Sequence, residues 1–386
     1  MWIGKINMKP AHRKAMLARI DKSFIRRLVD LLPPLSKPQG RFTSRDILRA
    51  VVGAVQDHDF VEGWTEHQRE MGRQVPSGDL VHLRLGSLTM DDVASAFRTV
   101  NGELLSQLAR VRPWRKPVHL AIDFHSMAYY GRYRGAHVVG AKGHRGTNWG
   151  YQFASVQAVS GRRCTFHAVP VLQFASKAGI VRELLEEARR HVEVRMLYLD
   201  RGFYATSCLR ELEASGVRYM MPVPMNKTVR RLMAELLPFS RVVGTRGWSY
   251  SKVVRPVGDK DRVEVQTVFL FRPDPDDEDF VFITNIEVDD RNVEALAEDY
   301  GRRWGIETGY RMSEMMRGRT CSRSHAVRRL LHMLSVLLYN VWQLVDALLV
   351  HVLDVPRKRW GYSIRLRSFM RMVLELVGMG DVGVGI

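Results

Sequence analysis

Two aspartates in this chain sit where an ionised carboxylate is costly. Asp123 follows Leu120-Ala121-Ile122, and Asp200 follows Leu197-Tyr198-Leu199. Each apolar run predicts a buried central strand with the acid near its C-terminal end. A half-buried charge needs compensation, and a divalent cation supplies it directly. Two aspartates from neighbouring strands, joined by a third acid from a helix, would form the open, hard-oxygen site that suits Mg²⁺. Taken singly, either Asp reads first as a turn or capping residue after a strand, Asp200 before Arg201-Gly202 above all.

The third acid is Glu307. In DYGRRWGIETGYRMSEMMRGR, Tyr300, Arg303, Glu307, Tyr310 with Arg311, and Glu314 recur at i, i+3, i+7, i+10/11 and i+14. That spacing predicts one face of a helix. The stripe is polar where a core face would be apolar, and it is rich in groups that contact phosphate. The competing reading is a salt-bridged surface helix with Glu307 paired to Arg303 or Arg311. Gly301, Gly305 and Gly309 weaken that helix by up to ~1 kcal/mol each. Glycines repeating on a face point to close approach by another backbone.

The elements that must position these acids follow from patterning. Residues 11–32 read as a basic amphipathic helix stopped by Pro33-Pro34, Thr43-Ser44 opens a second helix and Thr89 a third. Residues 1–112 are therefore expected to be an all-helical, basic, DNA-binding domain, although many helical bundles share this pattern. From residue 113 the order becomes strand, hairpin across Ser160-Gly161, helix, strand, helix, strand, which predicts a mixed α/β sheet flanked by helices. Residues 226–286 read as strand-rich, residues 291–316 and 325–353 as helices, and residues 351–386 as a basic tail.

The combination resembles a known family. Tyr300-x2-Arg303-x3-Glu307 resembles the C-terminal signature of prokaryotic insertion-sequence DDE transposases, the group marked Y-R-E-K. LYLDRGFY (197–204) resembles the second-Asp motif of the same group. The resemblance spans about residues 118–345. It implies an RNase H-like core from residues 113–225 and 287–350, interrupted by a β-rich insertion at 226–286. It implies a metal-binding catalytic triad of Asp123, Asp200 and Glu307, with Mg²⁺ (or Mn²⁺) as cofactor, and backbone contacts from Tyr300 and Arg303 to the transposon end. Two positions depart from the pattern. The group's Lys is Glu314 here, leaving that phosphate contact to Arg311 or Arg317. Phe124-His125-Ser126 follow the first Asp in place of small hydroxylated residues. Lys142, Arg145 and Lys227 are further candidate phosphate contacts, each equally readable as a solvated cation, and His125 is a candidate only if its strand continues past Asp123.

Composition bounds the partner. The 386 residues hold 59 Lys+Arg against 41 Asp+Glu, net +18, which points to a polyanion, most simply nucleic acid. The charge is blocked. Residues 1–50 hold twelve Lys/Arg and three acids, and residues 300–330 eight and two, whereas residues 273–299 hold eleven acids and one Arg. The 46% hydrophobic content excludes a disordered basic tail. Three separated cysteines exclude a zinc ribbon, a CxxC pair and a disulfide scaffold, and fit a reducing cytoplasm. No h-region opens the sequence, and the apolar run Leu330–Val345 is too short and interrupted for a membrane span. No phosphate loop or nucleophile elbow is present, so ATP and a covalent serine are not implied. The expectation is a nucleoid-associated DNA transposase working as a dimer on double-stranded DNA. A decayed, DNA-binding relative and another RNase H-like nuclease are the alternatives.

Overall fold

The computed structural model describes residues 16–35, 40–114, 116–132, 135–141, 146–161, 163–243, 246–254, 263–271, 279–353, 355–357 and 362–376. The chain divides into two compact units, Met1–Pro113 with Tyr310–Ile386, and Trp114–Gly309. The sequence expectation grouped residues 287–350 with the sheet. By contacts, the chain from Tyr310 onward groups with the N-terminal helices.

In the helical unit, two helix starts carry reciprocal caps. Thr43 and Asp46 close a capping box on Ser44–Gln56, and Thr89 and Asp92 close one on Met90–Val111, each cap worth ~1 kcal/mol. Between them lie the helices Val61–Glu70 and Gly78–Leu85, which periodicity alone did not reveal. A Cβ on Gly53 would collide with the Trp64 indole, so that glycine lets Ser44–Gln56 lie close against Val61–Glu70. The long helix His325–His351 is buried along almost its whole length. Two polar contacts fix it in register on Met90–Val111: Asn340 donates to Asn101 at 2.7 Å, and Arg329 donates to the Met90 carbonyl at 3.1 Å. It is the one described helix long and apolar enough to cross a membrane, and 94% of its most apolar stretch is buried. Part of the expected basic tail forms a helix, Leu366–Leu376.

The second unit is built on a ten-stranded mixed sheet. Its strands are β1 (Val118–Ala128), β2 (Val139–Gly140), β3 (Trp149–Ala158), β4 (Thr165–Val171), β5 (Val194–Leu199), β6 (Tyr219–Pro222), β7 (Arg241–Val243), β8 (Arg246–Val254), β9 (Val263–Phe271) and β10 (Phe280–Thr284). Their order is β2-β3-β1-β5-β6-β10-β9-β8-β7, with β4 also paired to β3. β1 runs antiparallel to β3 and parallel to β5, and β5 runs parallel to β6. The central strands are apolar because helices cover them; Leu120, Ile122, Leu197 and Leu199 are fully buried. The β3–β4 hairpin turns at Gly161, at φ 70°, a left-handed conformation that favours glycine. Helices Lys177–Arg189 and Thr206–Ser215 make the crossovers into β5 and β6.

The strand-rich segment continues this sheet through β10 pairing with β6. It also contains a helix, Lys227–Leu236, where strands were expected. The expected helix 291–316 is broken: Val293–Tyr300 and Trp304–Glu314 flank a 3₁₀ turn, Gly301–Arg303. The glycine stripe has the anticipated use only in part, since nothing lies within 4 Å of where a Cβ on Gly301 would stand. A Cβ on Gly305 would lie 3.1 Å from the Val159 side chain, and one on Gly309 would collide with Gln157, so the helix seats directly against β3 and its extension.

Candidate active site

The β1–β5 ladder places the first two acids. Ile122 pairs with Leu199, and the Asp200 amide donates to the Ile122 carbonyl at 3.3 Å. Asp123 and Asp200 are therefore the next residues on adjacent parallel strands. Asp200 also does what its turn reading requires: its Oδ2 accepts from the Gly202 amide at 2.9 Å and caps the 3₁₀ turn Arg201–Phe203. The capping reading of Asp200 is the one that these contacts bear out. Gly202 is required by crowding, since a Cβ would stand 3.0 Å from the Phe124 ring and 3.1 Å from the Asp200 carboxylate. Phe124 stacks on Phe203 at 4.2 Å with 9° between planes, fixing the middle of β1 against the turn. This explains the Asp-x-Gly-aromatic order, and it gives Phe124 a use where a small residue was expected. β1 continues to Ala128, so His125 shares the face of Asp123.

The third acid arrives through an arginine. Arg303 donates from Nη1 to Asp123 Oδ2 at 2.7 Å and from Nη2 to Glu307 Oε1 at 3.0 Å. The side chains of Arg303 and Asp123 are each 13% exposed, and that of Glu307 is 36% exposed. One guanidinium thus joins the acid of β1 to the acid of the helix Trp304–Glu314. Its Nε is buried without a hydrogen-bond partner among the described residues.

Tyr300, expected to meet the DNA backbone, is buried instead. Its hydroxyl donates to the Leu199 carbonyl at 3.4 Å, and its ring lies against Phe280 and beneath the Arg303 guanidinium, 5.7 Å from the ring centre. Tyr300 therefore supports Arg303 from below, because its ring fills the core and its hydroxyl is already engaged.

Charge is unbalanced here. Burial pushes the Asp123 carboxyl up to about 7, and Asp200 and Glu307 push the same way; Arg303 and the Phe124 amide oppose this without prevailing. Burial works against the Arg303 charge too, but Tyr300, Asp123, Asp200 and Glu307 together hold the guanidinium above its ordinary value. Burial dominates the Asp123 shift, whereas the anionic surroundings, Tyr300 first, outweigh burial at Arg303.

Among the described residues no three His, Cys, Asp or Glu side chains gather tightly enough to hold an ion. The Arg303 guanidinium lies between two of the acids instead. The donor set nevertheless fits a hard divalent cation, because every donor is a carboxylate oxygen and the acids are short of positive charge.

The remaining candidates scatter. Arg311 is exposed, and Arg317 pairs with Glu314 at 3.2 Å, so Arg317 answers the substitution at the Lys position by neutralising it. Lys227 is exposed at the first turn of its helix. Lys142 and Arg145 lie outside the described residues. One cation was not anticipated. Lys177 donates to the Gly202 carbonyl at 2.7 Å, beside the Asp200 turn, and its only sequence signal is its place after the Ser176 cap.

Residues 114–341 match the family model of the transposase DDE domain. The chain belongs to that family. The transposase also resembles a solved structure, the piggyBac transposase in a cryo-EM synaptic complex with hairpin DNA, at TM-score 0.59. The match covers 98% of this chain and 83% of that one at 16% identity, a likeness of fold. No curated protein sequence matches the transposase.

Proposed function

We propose that this transposase cuts DNA at the ends of its element and joins the freed 3′-OH to target DNA by two-metal-ion phosphoryl transfer, with Asp123, Asp200 and Glu307 holding Mg²⁺ or Mn²⁺. The observation that carries the reading is the Arg303 bridge from Asp123 on β1 to Glu307, with Asp200 just past the end of the paired parallel strand β5. Divalent cations held there would supply Lewis-acid stabilisation of the attacking and leaving oxygens. In the first reaction water bonds to phosphorus and the 3′-oxygen departs with a proton. In the second the new 3′-OH attacks a target phosphodiester and displaces the target's own 3′-oxygen. Neither reaction needs a covalent bond to the protein, so one site serves both.

The chain's own residues bind and orient. Phe124 and Phe203 hold the middle of β1, which carries Asp123, against the turn that Asp200 opens, and Tyr300 seats Arg303. Arg303, Lys227 and Lys177, with Lys142 and Arg145, are the cations of the sheet unit available to the DNA backbone, and Arg311 is a further one in the helical unit. The Tyr300, Arg303, Glu307 spacing supports membership of the insertion-sequence group, with Glu314 as its departure. Joining two ends in one reaction supports a homodimer on DNA, working on the nucleoid in the cytoplasm.

Nicking of the element's terminal repeats in Mg²⁺ is the test. D123N, D200N and E307Q should each lose at least ~100-fold in rate while still binding the repeat in a gel shift. Nicking at the wild-type rate in D200N would reject the assignment.

A further inference from the structure

Arg303 has the position of a cation rather than of a surface contact. Its two Nη atoms reach different acids, Asp123 at 2.7 Å and Glu307 at 3.0 Å, and its side chain is largely buried. A guanidinium placed this way substitutes for a bound ion, since it holds two like charges together and lowers their repulsion. Two features make the placement reversible. Arg303 ends a three-residue 3₁₀ turn between two helices, so no regular helix fixes it from both sides. Its Nε is buried with no acceptor among the described residues, a cost that release to solvent would remove. Gly301, at the start of the turn, has open space where a Cβ would stand.

We infer that Arg303 is an internal counter-ion that holds Asp123 and Glu307 together until a divalent cation replaces it, so that metal loading and release of the guanidinium are one event. This rests on the metal-site reading above. Its consequence is that an arginine able to bind a DNA phosphate is withheld until the acids are loaded, which makes metal and the DNA end bind cooperatively.

The test uses the full-length protein without DNA and Mn²⁺ as the probe. Arginine labelling by phenylglyoxal, mapped by peptide mass spectrometry, should show Arg303 protected in EDTA and labelled at least ~5-fold faster at saturating Mn²⁺. Mn²⁺ affinity, from titration of the free-ion EPR signal, should rise ~10-fold in R303Q, because a competitor is removed. R303Q should also melt lower than wild type in EDTA but not in Mn²⁺, whereas a merely structural arginine would cost stability in both. Arg303 labelling that does not change while Mn²⁺ binds would overturn the inference. Mn²⁺ affinity unchanged in D123N and D200N would instead sink the metal-site reading, and the inference with it.

Discussion

Asp123 is set apart in this site by its proton affinity. In the unfolded chain its carboxyl titrates near 3.8, and in the metal-free fold burial pushes it up to about 7. Between those values the unfolded chain has lost the proton that the folded chain still holds, so rising pH favours unfolding. The contribution of Asp123 to stability is complete below about pH 4 and gone above about pH 7. Three units correspond to at most ~4 kcal/mol. Metal-free wild type should therefore lose melting temperature between pH 4.5 and 7.5 relative to D123N, and parallel profiles would contradict the shift. At this scale the sequence was informative about identity and silent about partners. The apolar residues before Asp123 and Asp200 marked them as misplaced charges. Nothing in spacing separated Arg303 as a DNA contact from Arg303 as the bridge between Asp123 and Glu307. Tyr300 shows the same limit, since a tyrosine beside an arginine reads as phosphate-binding whether its ring is in solvent or in the core.

The element that decides the site is the helix Trp304–Glu314, and its glycines decide how near it comes. Replacing a helical glycine with alanine ordinarily stabilises by ~1 kcal/mol. G305A should do the opposite, costing ~1–2 kcal/mol by overpacking, because the new methyl meets Val159 at 3.1 Å and the Val159 carbonyl at 3.3 Å. G309A should cost less, because its obstacle is the end of the Gln157 side chain, which can shift. Thermal unfolding of the two variants checks this, and a stabilised G305A would show that the helix does not lie so close. The glycine spacing was legible in sequence as a demand for close approach. The break at Gly301–Arg303 was not, since helical periodicity runs on through a single 3₁₀ turn. The helix Lys227–Leu236 was missed for a related reason: it buries only Val229 and Met233, too few apolar positions to stand out among strands.

Across the whole molecule, net charge indicated the partner while long-range pairing remained hidden. The succession of strands and helices along the chain from β1 to β6, apart from the two-residue β2, followed from patterning, whereas the order of the strands in the sheet did not. The return of His325–His351 to the N-terminal helices depends on contacts such as Asn101 with Asn340, which leave no local trace. The basic blocks make a measurable claim. If Lys227 and Arg311 each neutralise one phosphate, K227A and R311A should each weaken binding of the terminal repeat and reduce the slope of log affinity against log salt by about 0.9. An unchanged slope would remove that residue from the DNA path.

Asp123, Asp200 and Glu307 are proposed to serve one metal site. Fe²⁺ exchanged into the protein, then treated with ascorbate and peroxide, cuts the polypeptide beside the groups that bind it. The expected result is cleavage at three places, near residues 123, 200 and 307, all suppressed by excess Mg²⁺ and all lost in D200N. Cleavage elsewhere, or at these places undiminished in D200N, would contradict it.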